Sequence, residues 1–101
     1  MAWDLGRAMH KKQEAECARL LDFEFRLRAR TMRLLAAELD MPETTLVAAI
    51  AEGPDEMILD QVAARRGETP EQIRVLHARL QTTARAQLVD EIGDPGPHRM
   101  A

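Results

Sequence analysis

The chain has 101 residues with an aromatic content of 3% and no Tyr, and a length of this order supports one domain with one modest core. Its formal net charge is -3 and 31% of its residues are charged, which excludes a uniformly basic nucleic-acid binder and an acidic disordered tail. Ala, Leu, Arg, Glu and Met are abundant, whereas Val, Ile and Thr are comparatively scarce, so we expect helices and no strands.

A long first helix is predicted from about Gly6 to Leu39, because no Pro or further Gly interrupts that stretch. Its large apolar residues recur at intervals of three, four and seven positions, as in one amphipathic helix. They are Leu20, Leu21, Phe25, Leu27, Met32, Leu34, Leu35 and Leu39. Residues 1–18 are much poorer in large apolar residues, which predicts an N-terminal extension in front of a domain that spans residues 19–93.

Two shorter helices are predicted next. Pro42 follows a turn that begins at Asp40, and Pro is well tolerated in a first helical turn, so we expect a second helix with Leu46, Val47 and Ile50 on its apolar face. Gly53-Pro54 should end it. A third helix should begin at Asp55, where carboxylates favour a helix N-terminus, and should end at Gly67.

The fourth helix is predicted from the capping-box spacing of residues 69–72, Thr-Pro-Glu-Gln, and from helical apolar spacing between Ile73 and Ile92, with Gly93 as its end. Residues 94–101 contain two prolines and no apolar period, which predicts a disordered C-terminal tail. The expected fold is therefore all-α, a four-helix bundle-like domain with a long first helix, an N-terminal extension and a disordered tail.

Catalytic and metal-binding patterns are weak in this sequence. His10, His77 and His98 are far apart, and none has a second ligand at a spacing typical of a metal site. The loop of residues 52–55 contains one Gly, whereas phosphate-binding loops need several, usually followed by Lys and Ser or Thr. We therefore expect a protein that is not an enzyme and that carries neither a metal nor a required cofactor.

The compartment is suggested by a single cysteine. Cys17 has no partner for an intramolecular disulfide, and no continuous apolar stretch in residues 1–13 resembles a secretory signal, so we expect a reducing cytoplasmic location. No segment approaches the roughly 20 apolar residues that cross a bilayer. Any association with a membrane is expected to run through a partner protein.

Positive charge is concentrated in the first helix. The cluster comprises Arg26, Arg28, Arg30 and Arg33. Four cations within about two helical turns are suited to a phosphate group or an acidic partner. The alternative is a solvated face with ordinary i,i+4 ion pairs, such as Asp22 with Arg26 and Glu24 with Arg28. The sequence leaves both interpretations open.

A helix-turn-helix is the competing motif, because residues 35–46 resemble its first helix and turn. The segment that would contact the bases, residues 47–52, offers no Arg, Lys, Asn or Gln and carries Glu52, which would repel phosphate. A DNA-binding regulator is therefore the third hypothesis, and we expect no nucleic-acid partner.

Four segments resemble, in order and spacing, the zeta subunit family, the inhibitors of alpha-proteobacterial F-type ATP synthases. The aromatic, Ala- and Arg-rich residues 25–35 are similar to the family signature, and residues 36–39, Ala-Ala-Glu-Leu, to the motif that follows it. Residues 51–56 resemble the acidic Gly/Pro junction before the third helix of the family, and residues 73–88 resemble its last helix. The resemblance covers roughly residues 10–92.

This resemblance implies a regulatory subunit that binds the catalytic sector of ATP synthase and blocks hydrolysis by inserting residues 1–18 at a catalytic interface. The expected apolar anchors are Trp3, Leu5 and Met9, and the cations expected to meet an acidic surface are Arg7, Lys11 and Lys12. The protein would be a monomer when free and peripheral to the inner membrane through its partner.

Some members of the family bind adenine nucleotide on the bundle, which implies weak ATP or ADP binding at Arg26, Arg28, Arg30 and Arg33. The N-terminus departs from the family pattern, because residues 1–7 read Met-Ala-Trp-Asp-Leu-Gly-Arg where the family usually has Phe and clustered acidic residues. The second hypothesis is accordingly a non-inhibitory paralogue that acts as a nucleotide-responsive or structural helical binding module.

Overall fold

The computed structural model describes the backbone of residues 2–95 and the side chains of residues 14–95. Within that part of the chain it contains α-helices and no strand. The helices are α1 (Ala2–Glu38), α2 (Glu43–Ala49), α3 (Asp55–Arg66) and α4 (Pro70–Ile92). The predicted all-α, four-helix class is confirmed.

The first helix, α1, has 37 residues and begins at Ala2, four residues before the predicted start. It ends in a Schellman motif, in which the Met41 N–H donates to the carbonyl of Ala36 at 2.9 Å and the Asp40 N–H donates to Ala37 at 3.3 Å. Asp40 takes the left-handed conformation that this motif requires, with φ of 54°. A non-glycine residue at that position carries a modest conformational cost.

The second helix, α2, is shorter than predicted. It begins directly after Pro42, as expected, but ends at Ala49 rather than at Gly53-Pro54. Between these points the N–H groups of Ile50, Ala51 and Glu52 each bond to the carbonyl three residues earlier, at 3.0–3.3 Å. These i→i−3 hydrogen bonds form a tighter turn, so the α-helix ends before Gly53. The sequence pattern did not indicate this early end.

The ends of α3 and α4 lie where the sequence predicts them. Gly67 closes α3 with φ of 68°, and its lack of a Cβ suits that left-handed position. At the start of α4 the Thr69 hydroxyl accepts from the N–H of Gln72, and the Gln72 side chain accepts from the N–H of Thr69. The predicted capping box is confirmed, and α4 ends at Gly93.

The predicted apolar stripe of α1 is confirmed in its second half and wrong in its first. Leu27, Met32, Leu35 and Leu39 are buried as predicted. Leu21 and Phe25 were also expected on the apolar face, but both side chains are exposed, and Phe23 is buried instead. Phe23 and Leu27 pack against Ala84 and Leu88 of α4 in one cluster. The larger cluster joins all four helices. It contains Met32, Leu35, Ala36, Leu39, Leu46, Ile50, Ile58, Leu59, Val62, Ala63, Ile73 and Leu80.

The main helix pairs are α1 with α4, α3 with α4, and α1 with α2. The C-terminal end of α4 lies beside Arg19 to Phe23 of α1, where Gly93, Asp94 and Pro95 line the same groove. Asp94 and Pro95, which begin the predicted tail, are half-buried, and residues 96–101 lie outside the described residues.

The longest dimension of the molecule, 63 Å against 27 and 23 Å, reflects the length of α1. Among the described side chains, no core residue precedes Phe23. None of the helices in this part of the chain is both long enough and apolar enough to cross a membrane.

Candidate functional site

The arginine cluster divides between two sides of α1. Arg26, Arg30 and Arg33 line one open groove of about 250 Å³ between α1 and the end of α4, which we call the arginine groove. Phe25 on α1 and Ile92 on α4 contribute its apolar walls. Arg28 is absent from this groove and points to another part of the molecule. The structure therefore brings three of the four predicted arginines together and separates the fourth.

Each arginine of the groove has a carboxylate partner. Arg26 binds Asp22 at 2.9 Å, one turn earlier on α1, as the solvated-face interpretation expects. Arg33 reaches Glu43 of α2 at 3.2 Å, so this pair connects two helices. The side chains of both pairs are more than half exposed, and exposed ion pairs contribute little to stability.

Arg30 makes the strongest connection in the groove. Its guanidinium donates from both terminal nitrogens to the Glu91 carboxylate of α4, with Nη2 at 2.8 Å from Oε1, in the two-pronged geometry typical of arginine. These hydrogen bonds lower the pKa of the Glu91 carboxyl and raise the pKa of Arg30. A third bond joins Arg30 to Gln87 at 3.3 Å. The pair fixes the end of α4 against α1.

The predicted pairing of Glu24 with Arg28 is wrong. Glu24 lies 3.7 Å from Arg85 of α4, and the Arg85 guanidinium stands over the buried Phe23 ring at 5.3 Å from its centroid. Helical spacing predicts ion pairs only within one helix. Here α4 lies beside this face of α1, and its Arg85 pairs with Glu24 in place of Arg28.

Arg28 belongs to a half-buried polar junction between three helices. Its Nε donates to the Asp55 carboxylate at 2.9 Å, and its Nη2 donates to the Gly53 carbonyl at 3.1 Å. Asp55 is the first residue of α3, where a carboxylate also benefits from the helix dipole. Arg28 thereby connects the middle of α1 to the loop between α2 and α3.

His77 of α4 completes this junction. Its side chain is buried, and Nε2 lies 3.9 Å from Oδ2 of Asp55 without a hydrogen-bond partner. Burial lowers the pKa of His77, and the nearby Asp55 charge opposes that effect only in part. A neutral imidazole is therefore the favoured form near pH 7.

The remaining His and Cys residues do not form a reactive cluster with this junction within the described part of the chain. Within the described part of the chain, no group of three His, Cys, Asp or Glu side chains is arranged to hold a metal ion. Cys17 is exposed on α1. His10 and His98 lie outside the residues whose side chains are described.

The predicted partner-binding residues all precede the described side chains. They are Trp3, Leu5, Arg7, Met9, Lys11 and Lys12. The backbone at these positions belongs to α1, but their side chains lie outside the described residues.

Sequence reasoning missed two features of the site. One is the wall that Ile92 and Glu91 give to the arginine groove, which depends on the antiparallel placement of α4 along α1. The other is the Arg28–Asp55–His77 junction, whose members are 22 or more positions apart in the chain.

Comparison of the chain with family models, with curated proteins and with solved structures returned no match.

Proposed function

We propose that this protein is a regulatory subunit that binds the catalytic sector of F-type ATP synthase and restrains ATP hydrolysis through its N-terminal segment. The observation that supports this most directly is the course of α1. It continues from the four-helix core to Ala2, although no core residue among the described side chains precedes Phe23. A helix that extends past its own core offers a segment for insertion into a groove of another protein.

The proposal needs no chemistry from the chain itself. An inhibitor of this kind acts by occupying space between moving subunits, and a helix that is already formed loses less conformational entropy on insertion than an unfolded segment does. The four-helix core, whose buried side chains run from Phe23 to Leu88, serves as the platform that carries the inserted segment.

The test adds three forms of the protein to the isolated ATPase sector: the full chain, a chain that lacks residues 1–18, and a full-length variant with Trp3, Leu5 and Met9 replaced by Ala. We expect only the unaltered full chain to suppress hydrolysis strongly. Circular dichroism should show that all three keep a folded helical core. Equal inhibition by the truncated chain would overturn the proposal.

A second candidate, a nucleotide-responsive binding module, is favoured by one observation: the arginine groove places Phe25 beside three guanidinium groups. An aromatic side chain can stack on a base while arginines hold phosphates. Titration with ATP, followed through the backbone amide resonances of residues 25–35, tests this candidate. Unchanged spectra at millimolar ATP would dispose of it.

A further inference from the structure

His77 is a buried titratable residue that the proposed function does not use. It lies on α4 with 9% of its surface exposed. Its Nε2 atom is buried and has no hydrogen-bond partner within the described part of the chain. Buried side-chain nitrogens and oxygens are normally hydrogen-bonded, because they have lost their contacts with bulk water. The unpaired Nε2 is therefore able to form a new bond when a neighbouring acceptor comes within reach.

The neighbouring acceptor is the Asp55 carboxylate, which has one oxygen bonded to Arg28 and the other near His77. Oδ1 accepts a hydrogen bond from the Arg28 Nε at 2.9 Å and also lies 2.9 Å from its Nη2. Oδ2 lies 3.9 Å from the Nε2 of His77. That distance exceeds hydrogen-bonding range by about 1 Å. A small rotation of the carboxylate or of the imidazole therefore brings the two groups into contact.

Protonation of His77 changes the charge balance of this junction. With a neutral imidazole, the Arg28 cation and the Asp55 anion balance each other. A protonated imidazole adds a second cation beside a single carboxylate, and like charges repel strongly in a half-buried site. The Arg28 side chain is 31% exposed and the His77 side chain 11%. Arg28 is therefore the cation that can reach water, on its long flexible stem.

The charged groups on the elements around His77 restrict the competition to these two cations. Burial lowers the pKa of His77, and attraction to Asp55 of α3 opposes that effect only in part. Arg28 is the cation that α1 contributes to the junction, and the loop between α2 and α3 contributes an uncharged backbone carbonyl. One turn earlier on α4, Arg74 is paired with Asp60 at 3.0 Å, and both side chains are exposed.

We propose that the Arg28–Asp55–His77 junction is a pH-operated conformational switch, in which protonated His77 binds Asp55 and Arg28 turns out to solvent. The proton comes from water and adds to the imidazole. Arg28 also donates to the Gly53 carbonyl at 3.1 Å, so its departure releases the loop between α2 and α3 from α1. The first residue of α3 is then bound to α4 instead.

The switch operates below pH 6.5, because burial holds the pKa of His77 below that ordinary value. Above that range the neutral imidazole leaves Asp55 to Arg28, which is the arrangement in the structure. The switch is a property of the bundle and does not depend on what the N-terminal segment binds.

The experiment is a pH titration of the full chain by nuclear magnetic resonance, from about pH 8 to about pH 5. It follows the imidazole of His77, the Nε–H of Arg28 and the carbonyl carbon of Gly53. The Nε–H of Arg26 is the internal control, because it makes the same kind of bond, at 2.9 Å to Asp22, away from the junction. Measuring Arg28 relative to Arg26 removes the general effect of pH on hydrogen exchange.

We expect the exchange rate of the Arg28 Nε–H, relative to that of Arg26, to rise by about tenfold or more with the same midpoint as His77. The Gly53 carbonyl resonance should shift with that midpoint too. His77→Gln should abolish both changes, because glutamine does not titrate. Arg28→Met should raise the pKa of His77, because the imidazolium no longer faces a competing cation.

Several outcomes would overturn the inference. One is an Arg28 Nε–H and a Gly53 carbonyl that stay unchanged while His77 titrates. Another is the same response in His77→Gln, which would assign it to a carboxylate. An unchanged pKa of His77 in Arg28→Met would show that the two cations do not compete. Loss of the helical circular dichroism signal at the His77 midpoint would mean that the bundle unfolds as a whole, without a local switch.

Discussion

Two faces of the same stretch of α1 have opposite environments. Leu21 and Phe25 are spaced by four residues and lie exposed beside the arginine groove, whereas Phe23 and Leu27, with the same spacing, are buried against α4. Both pairs fit a helical apolar stripe equally well. The position of α4 therefore decides which stripe becomes core and which remains available at the surface.

The arginines repeat this contrast. Arg26 is exposed and pairs within its own helix, while Arg28, two positions later, is held by Asp55 and by the Gly53 carbonyl from another part of the chain. The Arg26 guanidinium stays accessible to solvent, whereas the Arg28 guanidinium is half-buried and committed to contacts within the fold. The same residue type thus has two different environments within one helical turn.

The largest expected effect comes from truncating the buried Leu27, with the exposed Leu21 as its counterpart on the other face. Leu27→Ala should lower the free energy of unfolding by about 2–5 kcal/mol, because it leaves a cavity among buried side chains. Leu21→Ala should change it by less than about 0.5 kcal/mol. Urea unfolding followed by circular dichroism measures both, and similar losses in the two variants would contradict the contrast between the faces.

The next effect concerns the arginines. Arg28→Met should lower the free energy of unfolding by about 1–2 kcal/mol, because it leaves the half-buried Asp55 carboxylate without its hydrogen-bond donor. Arg26→Met should lower it by less than about 0.5 kcal/mol, because Arg26 is exposed. Methionine keeps the apolar stem in both variants. Urea unfolding followed by circular dichroism measures both changes. The prediction fails if Arg26→Met lowers the free energy of unfolding more than Arg28→Met does.

A smaller effect should follow the titration of His77. Its pKa in the folded protein is lowered from 6.5 by burial, so between that lowered value and pH 6.5 the unfolded chain binds more protons than the folded one. Stability should therefore fall as the pH drops below 6.5 and level off below the folded pKa. His77→Gln should flatten this part of the unfolding profile relative to the wild type.

Measurements at pH 8, where the imidazole is neutral in both states, provide the reference for His77→Gln. The imidazole resonances of His77 should titrate with a midpoint below 6.5. A midpoint above 6.5 would mean that the Asp55 charge outweighs burial at the junction.

The smallest expected effect comes from a stabilising substitution in the turn that follows α1, outside both faces of the helix. Asp40→Gly removes the cost of a left-handed residue in the Schellman motif and should raise the free energy of unfolding by about 0.5–1 kcal/mol. Gly67→Ala, which introduces a Cβ at the equivalent position after α3, should lower it by a similar amount. Opposite signs in the two variants would confirm that the motif itself is responsible.

Much of the fold was predictable because its signals are local. The capping box at Thr69, the left-handed end at Gly67 and the prolines at 42 and 54 each mark a helix end through contacts within a few residues. The early end of α2 was missed because the turn from Ile50 to Glu52 contains neither Gly nor Pro.

The candidate site was less predictable because it depends on contacts between distant segments. Arg28, Asp55 and His77 meet only after α1, α3 and α4 have packed, and nothing in the local sequence of any one of them indicates the other two. The arginine cluster was correctly recognised as a concentration of charge. Its division into an open groove and a half-buried junction required the placement of α4.

The uninterrupted course of α1 has a mechanical consequence. A helix without a proline or a glycine pair behaves as a stiff rod over a few tens of ångströms, so its leading end has no hinge relative to the bundle. A force applied at its first turn is transmitted along the helix to Arg30, which binds Glu91 of α4. The direction of the leading end relative to the bundle is consequently set by the packing of α1 against α4.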